Sequence, residues 1–237
     1  MHLQEGLHQA LSDPVLVHAG ICDARMWEGF DLEGAVTHEL RGYGQTPLPA
    51  SGTFSHADDL EAALGDGPAQ LVGASFGGLV CLEVAARRPE LVSDLVLLDA
   101  PLPDHDWSEQ LEEYAAQEER LLEEGDLDAA TELNVAFWAP TLSRIVGPMQ
   151  RRAFELQAGS EDPEGIAPGE IALGSIRART LVAVGKDDYQ DFHAIARRLH
   201  EEIQRAELAV IHGAGHLPSL ERPDQTAVLV RSFLNRR

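Results

Sequence analysis

The chain has 237 residues, of which 44% are hydrophobic and 24% charged, so it can bury a core without disulfides or structural metals. Its 40 acidic and 18 basic residues give a formal net charge of −22, which repels nucleic-acid backbones and anionic lipids. The apolar runs are too short for a membrane span, the N-terminal residues show no export leader, and Cys22 and Cys81 form no disulfide framework. Composition therefore predicts a cytoplasmic globular protein with no nucleic-acid or membrane partner.

Six short apolar runs along the chain are typical of β-strands, and most of them are continuous rather than alternating. Continuous apolar strands are expected where both faces of a parallel sheet are covered. Helical patterns separate several of these runs, which favours an α/β fold with helices on both faces of the sheet. The predicted strands are 14–18, 35–38, 69–74, 94–99, 180–185 and 207–212. The predicted helices between and after them are 55–65, 76–88, 189–203 and 222–237.

Residues 103–170 interrupt this alternation. They contain three helical stretches and no predicted strand, and residues 101–170 hold 17 acidic residues but only four arginines. A helical segment of this length between the fourth and fifth predicted strands looks like a cap. We therefore predict an α/β core built from residues 1–102 and 171–237, with a helical cap or lid inserted at 103–170.

The stretch VGASFGGLV, residues 72–80, surrounds Ser75 with small residues. A strand is predicted to end near Ala74 and a helix to begin near Phe76, which leaves Ser75 on the turn. Glycines at 73 and 77 meet the steric requirement of the tight G-x-S-x-G turn, which exposes the hydroxyl. The first N–H groups of the helix are left free to stabilise an oxyanion. There are two alternatives: the glycines only allow tight packing, or they hold a phosphate. Phosphate binding fits poorly, because the sequence has neither a G-x-G-x-x-G motif nor a P-loop lysine here.

A nucleophilic serine needs an imidazole as base and a carboxylate that orients the imidazole. His216 lies in a glycine-rich loop between the last predicted strand and the last helix, where its ring can reach the sheet edge. Asp187 and Asp188 follow a buried strand on a turn; we favour Asp188 as the acid and keep Asp187 as the alternative, with helix capping the structural explanation for both. The order Ser75, Asp188, His216 is the one that accompanies the G-x-S-x-G turn.

Five segments in this order resemble the α/β-hydrolase superfamily, most closely its small bacterial serine esterases and enol-lactonases. They are VLVHAGICDARMW (15–27), ELRGYGQTP (39–47), LVGASFGGLVCLEVAARRPELVSDLVLLDAP (71–101), TLVAVGKDDYQDF (180–192) and VIHGAGHLPSLERPDQ (210–225). The resemblance implies an α/β-hydrolase fold, a mostly parallel sheet flanked by helices, with the cap after the fourth of six strand segments. It also implies two oxyanion-hole donors, the N–H of Phe76 and one from the loop HAGI; for the latter we favour Gly20 over Ile21.

Residues and resemblance together imply a serine hydrolase that cleaves a carboxylic ester or lactone, with no metal or organic cofactor. Ser75 attacks the carbonyl carbon, His216 transfers the proton, and Asp188 holds the imidazole. The alternatives are carbon–carbon bond hydrolysis, acyl transfer or cofactor-free peroxidation on the same triad, and a non-catalytic ligand-binding protein. A small-molecule substrate is the expected partner, and both a monomer and a homodimer stay open.

In the family the cap roofs the substrate pocket. The candidate substrate-binding residues are therefore Trp107, Phe137 and Trp138 in the insertion and Trp27 near the oxyanion loop, with core packing as the alternative for each. Because the insertion is so acidic, a neutral, mainly apolar ester or lactone is favoured over an anionic one. An anionic substrate would need an arginine from the set Arg144, Arg151 and Arg152.

Overall fold

In the computed structural model, which describes residues 13–158 and 163–236, six parallel strands form one twisted sheet. In chain order the strands are β1 (Pro14–Val17), β2 (Val36–His38), β3 (Gly52–Phe54), β4 (Ala69–Ala74), β5 (Val92–Leu98), β6 (Pro163–Gly165), β7 (Arg179–Gly185) and β8 (Ala206–Ile211). The large sheet has the order β2-β1-β4-β5-β7-β8, so all six predicted strands belong to it. The first 12 residues, which include most of the stretch where we expect no export leader, lie outside the described part.

Helices connect the strands and cover the sheet. In chain order they are α1 (His56–Leu64), α2 (Phe76–Arg87), α3 (Glu109–Glu123), α4 (Leu127–Trp138), α5 (Ser143–Ala158), α6 (Gln190–Glu202), α7 (Pro218–Glu221) and α8 (Pro223–Leu234). Two 3₁₀ helices add Ala24–Trp27 and Leu173–Ser175. The α1 helix begins where the sequence predicts, because the Ser55 hydroxyl accepts a hydrogen bond from the Asp58 N–H at 3.2 Å.

Both faces of the sheet are buried at its four central strands, β1, β4, β5 and β7, which explains their apolar runs. Successive strand residues point to opposite faces. On β5, Leu95 and Leu97 pack with α1, α2 and α6, whereas Val96 and Leu98 pack with α8 and the first 3₁₀ helix. The buried stretch of such a strand is therefore apolar at consecutive positions rather than at alternate ones.

The carboxyl ends of all six strands meet at one edge of the sheet, since the strands run in the same direction. Four polar side chains that follow different strands are brought together there: Ser75 after β4, Asp99 after β5, Asp188 after β7 and His216 after β8. This edge is the usual binding edge of open parallel sheets.

The three predicted helices of the insertion are present as α3, α4 and α5. The expectation that residues 103–170 contain no strand is wrong, because β6 pairs in parallel with β3 through the register Gly52↔Pro163 and Phe54↔Gly165. Three residues are too few for a strand pattern to be recognised, and proline is tolerated at the first position of such a strand. Within the described residues, no helix has the length and apolarity needed to cross a lipid bilayer.

Candidate active site

Ser75 lies on an abrupt turn between β4 and α2, with φ 46° and ψ −119°. Residues other than glycine rarely adopt a positive φ. A backbone held in this conformation by its surroundings is strained by about 1–3 kcal/mol. A Cβ atom on Gly73 would lie 2.5 Å from the Gly77 carbonyl oxygen, and one on Gly77 would overlap the carbonyl oxygens of Val17 and His18. The glycines around Ser75 are therefore required by the close approach of backbone to backbone.

Ser75, His216 and Asp188 form a hydrogen-bonded chain. The His216 Nε2 atom lies 2.9 Å from Ser75 Oγ, and its Nδ1 atom lies 2.9 Å from Asp188 Oδ2. A carboxylate can only accept, so Nδ1 carries the proton and Nε2 is left to accept the hydroxyl proton of Ser75. Asp187, the alternative acid, is exposed at the surface.

The loops that carry Asp188 and His216 are held against each other. The Asp187 N–H donates to the Ala214 carbonyl at 2.9 Å, and the Gly215 N–H donates to the Glu221 carboxylate. The Asp188 Oδ1 atom accepts the Tyr189 N–H at 2.8 Å, so both carboxylate oxygens of Asp188 are engaged. These contacts fix the imidazole relative to Ser75.

Asp99 is a fourth member of this cluster that sequence reasoning missed. It is 3% exposed, has a positive φ of 49°, and accepts the Gly185 N–H through Oδ1 at 2.8 Å. Its buried Oδ2 has no polar partner in the described residues apart from the Asp188 carboxylate. The donor atoms of Asp99, Asp188 and His216 all lie within 4.8 Å of one another.

The two neighbouring carboxyl groups have opposite pKa shifts. Burial and the negative charge of Asp188 raise the pKa of Asp99 well above its ordinary value, although the Gly185 N–H opposes this shift. Burial alone would raise the pKa of Asp188 too, but His216 and a hydrogen bond from Asp99 hold it below its ordinary value. Two adjacent buried carboxylates cannot both ionise easily, so Asp99 keeps the proton and Asp188 the charge.

Backbone N–H groups of Gly20 and Phe76 border the Ser75 turn. Phe76 is the first residue of α2, so its N–H has no acceptor within the helix. A Cβ atom built on Gly20 would lie 3.3 Å from Phe76 Cβ, which places the two residues side by side. In the described part of the chain neither Gly20 nor Ile21 donates its N–H to another group.

His18 anchors the loop that carries Gly20. Its ring is completely buried, Nε2 accepts the Leu40 N–H at 3.0 Å, and Nδ1 donates to the Ala19 carbonyl at 2.9 Å. Burial lowers the pKa of His18 to about 4, so the ring is neutral at neutral pH, as accepting the Leu40 N–H requires. The side chain is structural.

Two cavities open beside Ser75 and His216, with volumes of about 300 and 320 Å³. Trp138 lines both, and its ring centroid lies 4.4 Å from that of His216. Trp107 lines the first, whereas Phe137 lines a third cavity, which also includes His216 and Asp188. Trp27 is buried, packs edge-on against Phe30 in the core, and lines none of the described cavities near Ser75.

A sequence profile described as "Alpha/beta hydrolase family" matches residues 15–229, nearly the whole chain. The chain belongs to the alpha/beta hydrolase family. The sheet order, the strained serine turn and the cluster at the carboxyl edge of the sheet agree with this membership.

Curated relatives of this hydrolase are remote. The 2-hydroxymuconate semialdehyde hydrolase of Pseudomonas sp. strain CF600 is 27% identical over 223 residues, which cover 84% of this chain and 75% of that protein. The pimeloyl-[acyl-carrier protein] methyl ester esterase of Neisseria meningitidis strain H44/76 is 28% identical over 209 residues, covering 83% and 80%. Among solved structures, the enol-lactonase from Burkholderia xenovorans LB400 superposes with a TM-score of 0.74 at 18% identity, over 95% of this chain and 92% of that one; at this identity the likeness concerns the fold.

The cluster of Asp99, Asp188 and His216 contains the side-chain types that bind metal ions. In this hydrolase both ring nitrogens of His216 are engaged, by Ser75 and by Asp188. We therefore interpret the cluster as one hydrogen-bonded chain that runs from Asp99 to Ser75.

Proposed function

We propose that this hydrolase cleaves a carboxylic ester or lactone through an acyl-enzyme formed on Ser75. The observation that carries the proposal is the chain of two 2.9 Å hydrogen bonds that links a serine on a strained, half-buried turn to His216 and then to buried Asp188. A serine linked in this way to an imidazole and a carboxylate is activated as a nucleophile.

The proposed reaction has two halves. Ser75 Oγ attacks the carbonyl carbon and its proton passes to His216 Nε2, while Asp188 stabilises the resulting imidazolium. The carbonyl oxygen becomes an oxyanion, which the N–H groups of Gly20 and Phe76 stabilise by donating to it. The carbon–oxygen bond then breaks and the leaving alkoxide takes the proton from His216, which leaves the acyl group on Ser75.

In the second half His216 removes a proton from a water molecule, and the hydroxide attacks the acyl carbon. The second tetrahedral species collapses, the acid leaves, and Ser75 regains its proton from His216. These steps use only side chains and backbone N–H groups of this chain, with no metal or organic cofactor.

We assign residues 103–170 to a helical cap and residues 1–102 and 171–237 to the core that carries the reacting groups. Support comes from cavity walls that residues of α3 and α4 supply, including Leu111, Tyr114 and Trp138. Trp107 and Trp138 are the proposed aromatic contacts for substrate. Closing such a roof removes water from the site and strengthens its electrostatic interactions.

An uncharged substrate fits the cavity walls better than an anionic one. Of the arginines considered for an anion, Arg151 is paired with Asp128 at 2.8 Å, and Arg152 donates to the Gly44 carbonyl at 3.4 Å. Neither of them, nor Arg144, is among the described residues that line the two cavities at Ser75.

Hydrolysis of p-nitrophenyl butyrate and of γ-valerolactone in ¹⁸O-enriched water tests the proposal. Cleavage at the acyl carbon places one ¹⁸O in the carboxyl group of the product acid and none in the alcohol. A burst of p-nitrophenol that matches the enzyme concentration reports the acyl-enzyme, and His216→Ala should lower kcat by about 10⁴- to 10⁶-fold. Absence of turnover of every ester and lactone by folded protein would contradict the proposal.

Carbon–carbon bond hydrolysis is the second candidate. The relative whose name specifies a semialdehyde substrate favours it, because such a substrate has no ester bond. A product analysis that finds a ketone or enol fragment in place of an alcohol would select this candidate.

A further inference from the structure

The two cavities beside Ser75 differ in chemistry. The first, here called the apolar arm, is lined mainly by hydrophobic side chains, among them Phe76, Pro101, Leu111 and Phe192. The second, here called the polar arm, has five polar side chains in its wall besides those of the reacting residues and Tyr114: Tyr43, Glu118, Asn134, Gln150 and Gln157. Both arms include Ser75 and His216, so a molecule bound at the reacting serine extends into surroundings of opposite polarity.

The donors of Tyr114 and Asn134 are already used within the wall of the polar arm. The Tyr114 hydroxyl donates to Asn134 Oδ1 at 2.8 Å, and the Asn134 amide donates to Glu118 Oε1 at 2.6 Å and to the Ala130 carbonyl at 3.0 Å. Neither of these two side chains therefore has an N–H or O–H left to donate to a ligand.

The side-chain oxygen of Gln150 is an acceptor that a ligand could satisfy. It lies on α5, is 4% exposed, and its buried Oε1 accepts no hydrogen bond from any residue that the structure describes. An unsatisfied buried acceptor costs about 1–3 kcal/mol, so a ligand that donates to it gains that amount relative to one that does not. Native proteins rarely leave such an atom without a partner.

The charges of the polar arm exclude an anionic ligand. Glu118 is the charged side chain of this wall, and no arginine or lysine is among the described residues that line either arm. Burial raises the pKa of Tyr43 to about 12, so its hydroxyl stays neutral and keeps its proton. An uncharged group with a hydrogen-bond donor matches this wall.

We propose that the polar arm is a specificity subsite in which Gln150 accepts a hydrogen bond from an uncharged amide N–H of the substrate, while a hydrocarbon portion occupies the apolar arm. The substrate class is then an ester or lactone that carries a secondary amide on one side of its reacting carbonyl and an alkyl chain on the other. This inference rests on the proposed function, since Ser75 joins the two arms.

The experiment compares matched esters. One member of each pair carries a secondary amide and the other the same amide N-methylated, which removes the donor and keeps the polarity. Two series place the amide on the acyl side or on the alcohol side, and a plain hexanoate ester reports the basal reaction. We expect the wild-type enzyme to prefer the N–H member of one series by about tenfold in kcat/KM.

Gln150→Leu, which is close in size, should reduce this preference to about one. The preference is a ratio of two esters measured on the same variant, and the hexanoate rate of that variant reports any general change in activity. The matched control is Gln225→Leu, the same substitution at an exposed position of α8, and it should keep the preference. Should Gln150→Leu fold poorly, Gln150→Met makes the same test.

The outcomes separate the two proposals. If no ester reacts, the proposed function fails. If the hexanoate reacts but neither series shows a preference for N–H, or if Gln150→Leu keeps the preference, this inference fails and the hydrolase assignment stands. A carboxylate-bearing ester that reacts faster than the amide ester would also overturn it.

Discussion

Replacing Asp99 tests whether the buried cluster holds one proton between its two carboxyl groups. Asp99→Asn keeps an oxygen that can accept the Gly185 N–H, and it replaces the acid O–H with an amide N–H that can donate to Asp188. Asparagine also tolerates the positive φ of 49° better than most residues. If Asp99 is protonated, asparagine is a close neutral substitute, and we expect kcat/KM to stay within about threefold of wild type.

Asp99→Ala removes the same interactions without replacement. The Gly185 N–H is left unsatisfied, which costs about 1–3 kcal/mol, and Asp188 loses a hydrogen bond of the charged kind, worth about 1.5–3 kcal/mol. Since such losses do not add fully, we expect a decrease of about 2–5 kcal/mol in the free energy of unfolding.

The pH dependence distinguishes the protonated from the ionised form. The raised pKa of Asp99 means that the folded protein keeps a proton which the unfolded chain releases. Wild-type stability supplied by this group is present below the ordinary aspartate pKa and is lost as pH rises through the raised pKa. Asp99→Asn has no such proton, so it should gain stability relative to wild type as pH rises from 5 to 9.

Urea midpoints of wild type, Asp99→Asn and Asp99→Ala at pH 5, 7 and 9, with ester turnover at each pH, measure these effects. The difference between wild type and Asp99→Asn reports on the Asp99–Asp188 pair, because the groups outside this pair titrate in both proteins. Equal pH slopes, together with a loss of activity in Asp99→Asn as large as that in Asp99→Ala, would refute a protonated Asp99.

Three further predictions concern neighbouring residues. Gly77→Ala should lower the free energy of unfolding by about 2–3 kcal/mol, the cost of overpacking, because the added Cβ atom meets backbone atoms. The control Gly169→Ala, whose Cβ atom meets open space, should match wild type in urea titrations. His18, with its pKa lowered to about 4, should make the protein lose about 3 kcal/mol of stability as pH falls from about 6.5 to 4, and His18→Gln should flatten that curve. Asp188→Asn should lower kcat by about 10⁴-fold and exposed Asp187→Asn by less than about threefold; the reverse order in steady-state kinetics would move the acid to Asp187.

The strands of the core were predictable because burial on both faces leaves runs such as 95–98 without polar positions. The two-stranded sheet of β3 and β6 was not, since three residues carry no period and their partner is over 100 residues away. The Ser75 turn was predictable because its steric requirements are local and are met by glycines next to Ser75 in the sequence.

The rest of the site depends on how distant segments meet. Asp99 is a single acidic residue at the end of a predicted strand, and the signal that could have found it is that β5 and β7 are neighbours whose carboxyl ends meet. Trp27 is close to Gly20 in sequence, but its loop turns the indole ring into the core. Core packing, the alternative considered for this residue, is what the structure shows. The position of Gln150 follows from the packing of α5 in the insertion, which helical periodicity alone does not specify.

Labelling with a fluorophosphonate probe tests the central claim most directly, because the probe reacts only with a serine that its surroundings activate. Intact mass and peptide mapping would compare wild type, Ser75→Ala and the control Ser219→Ala, which alters another buried serine hydroxyl. The account predicts one adduct per molecule on Ser75 in wild type and in Ser219→Ala, and none in Ser75→Ala. A folded wild-type protein that stays unlabelled, or a Ser75→Ala protein labelled as fully as wild type, would contradict it.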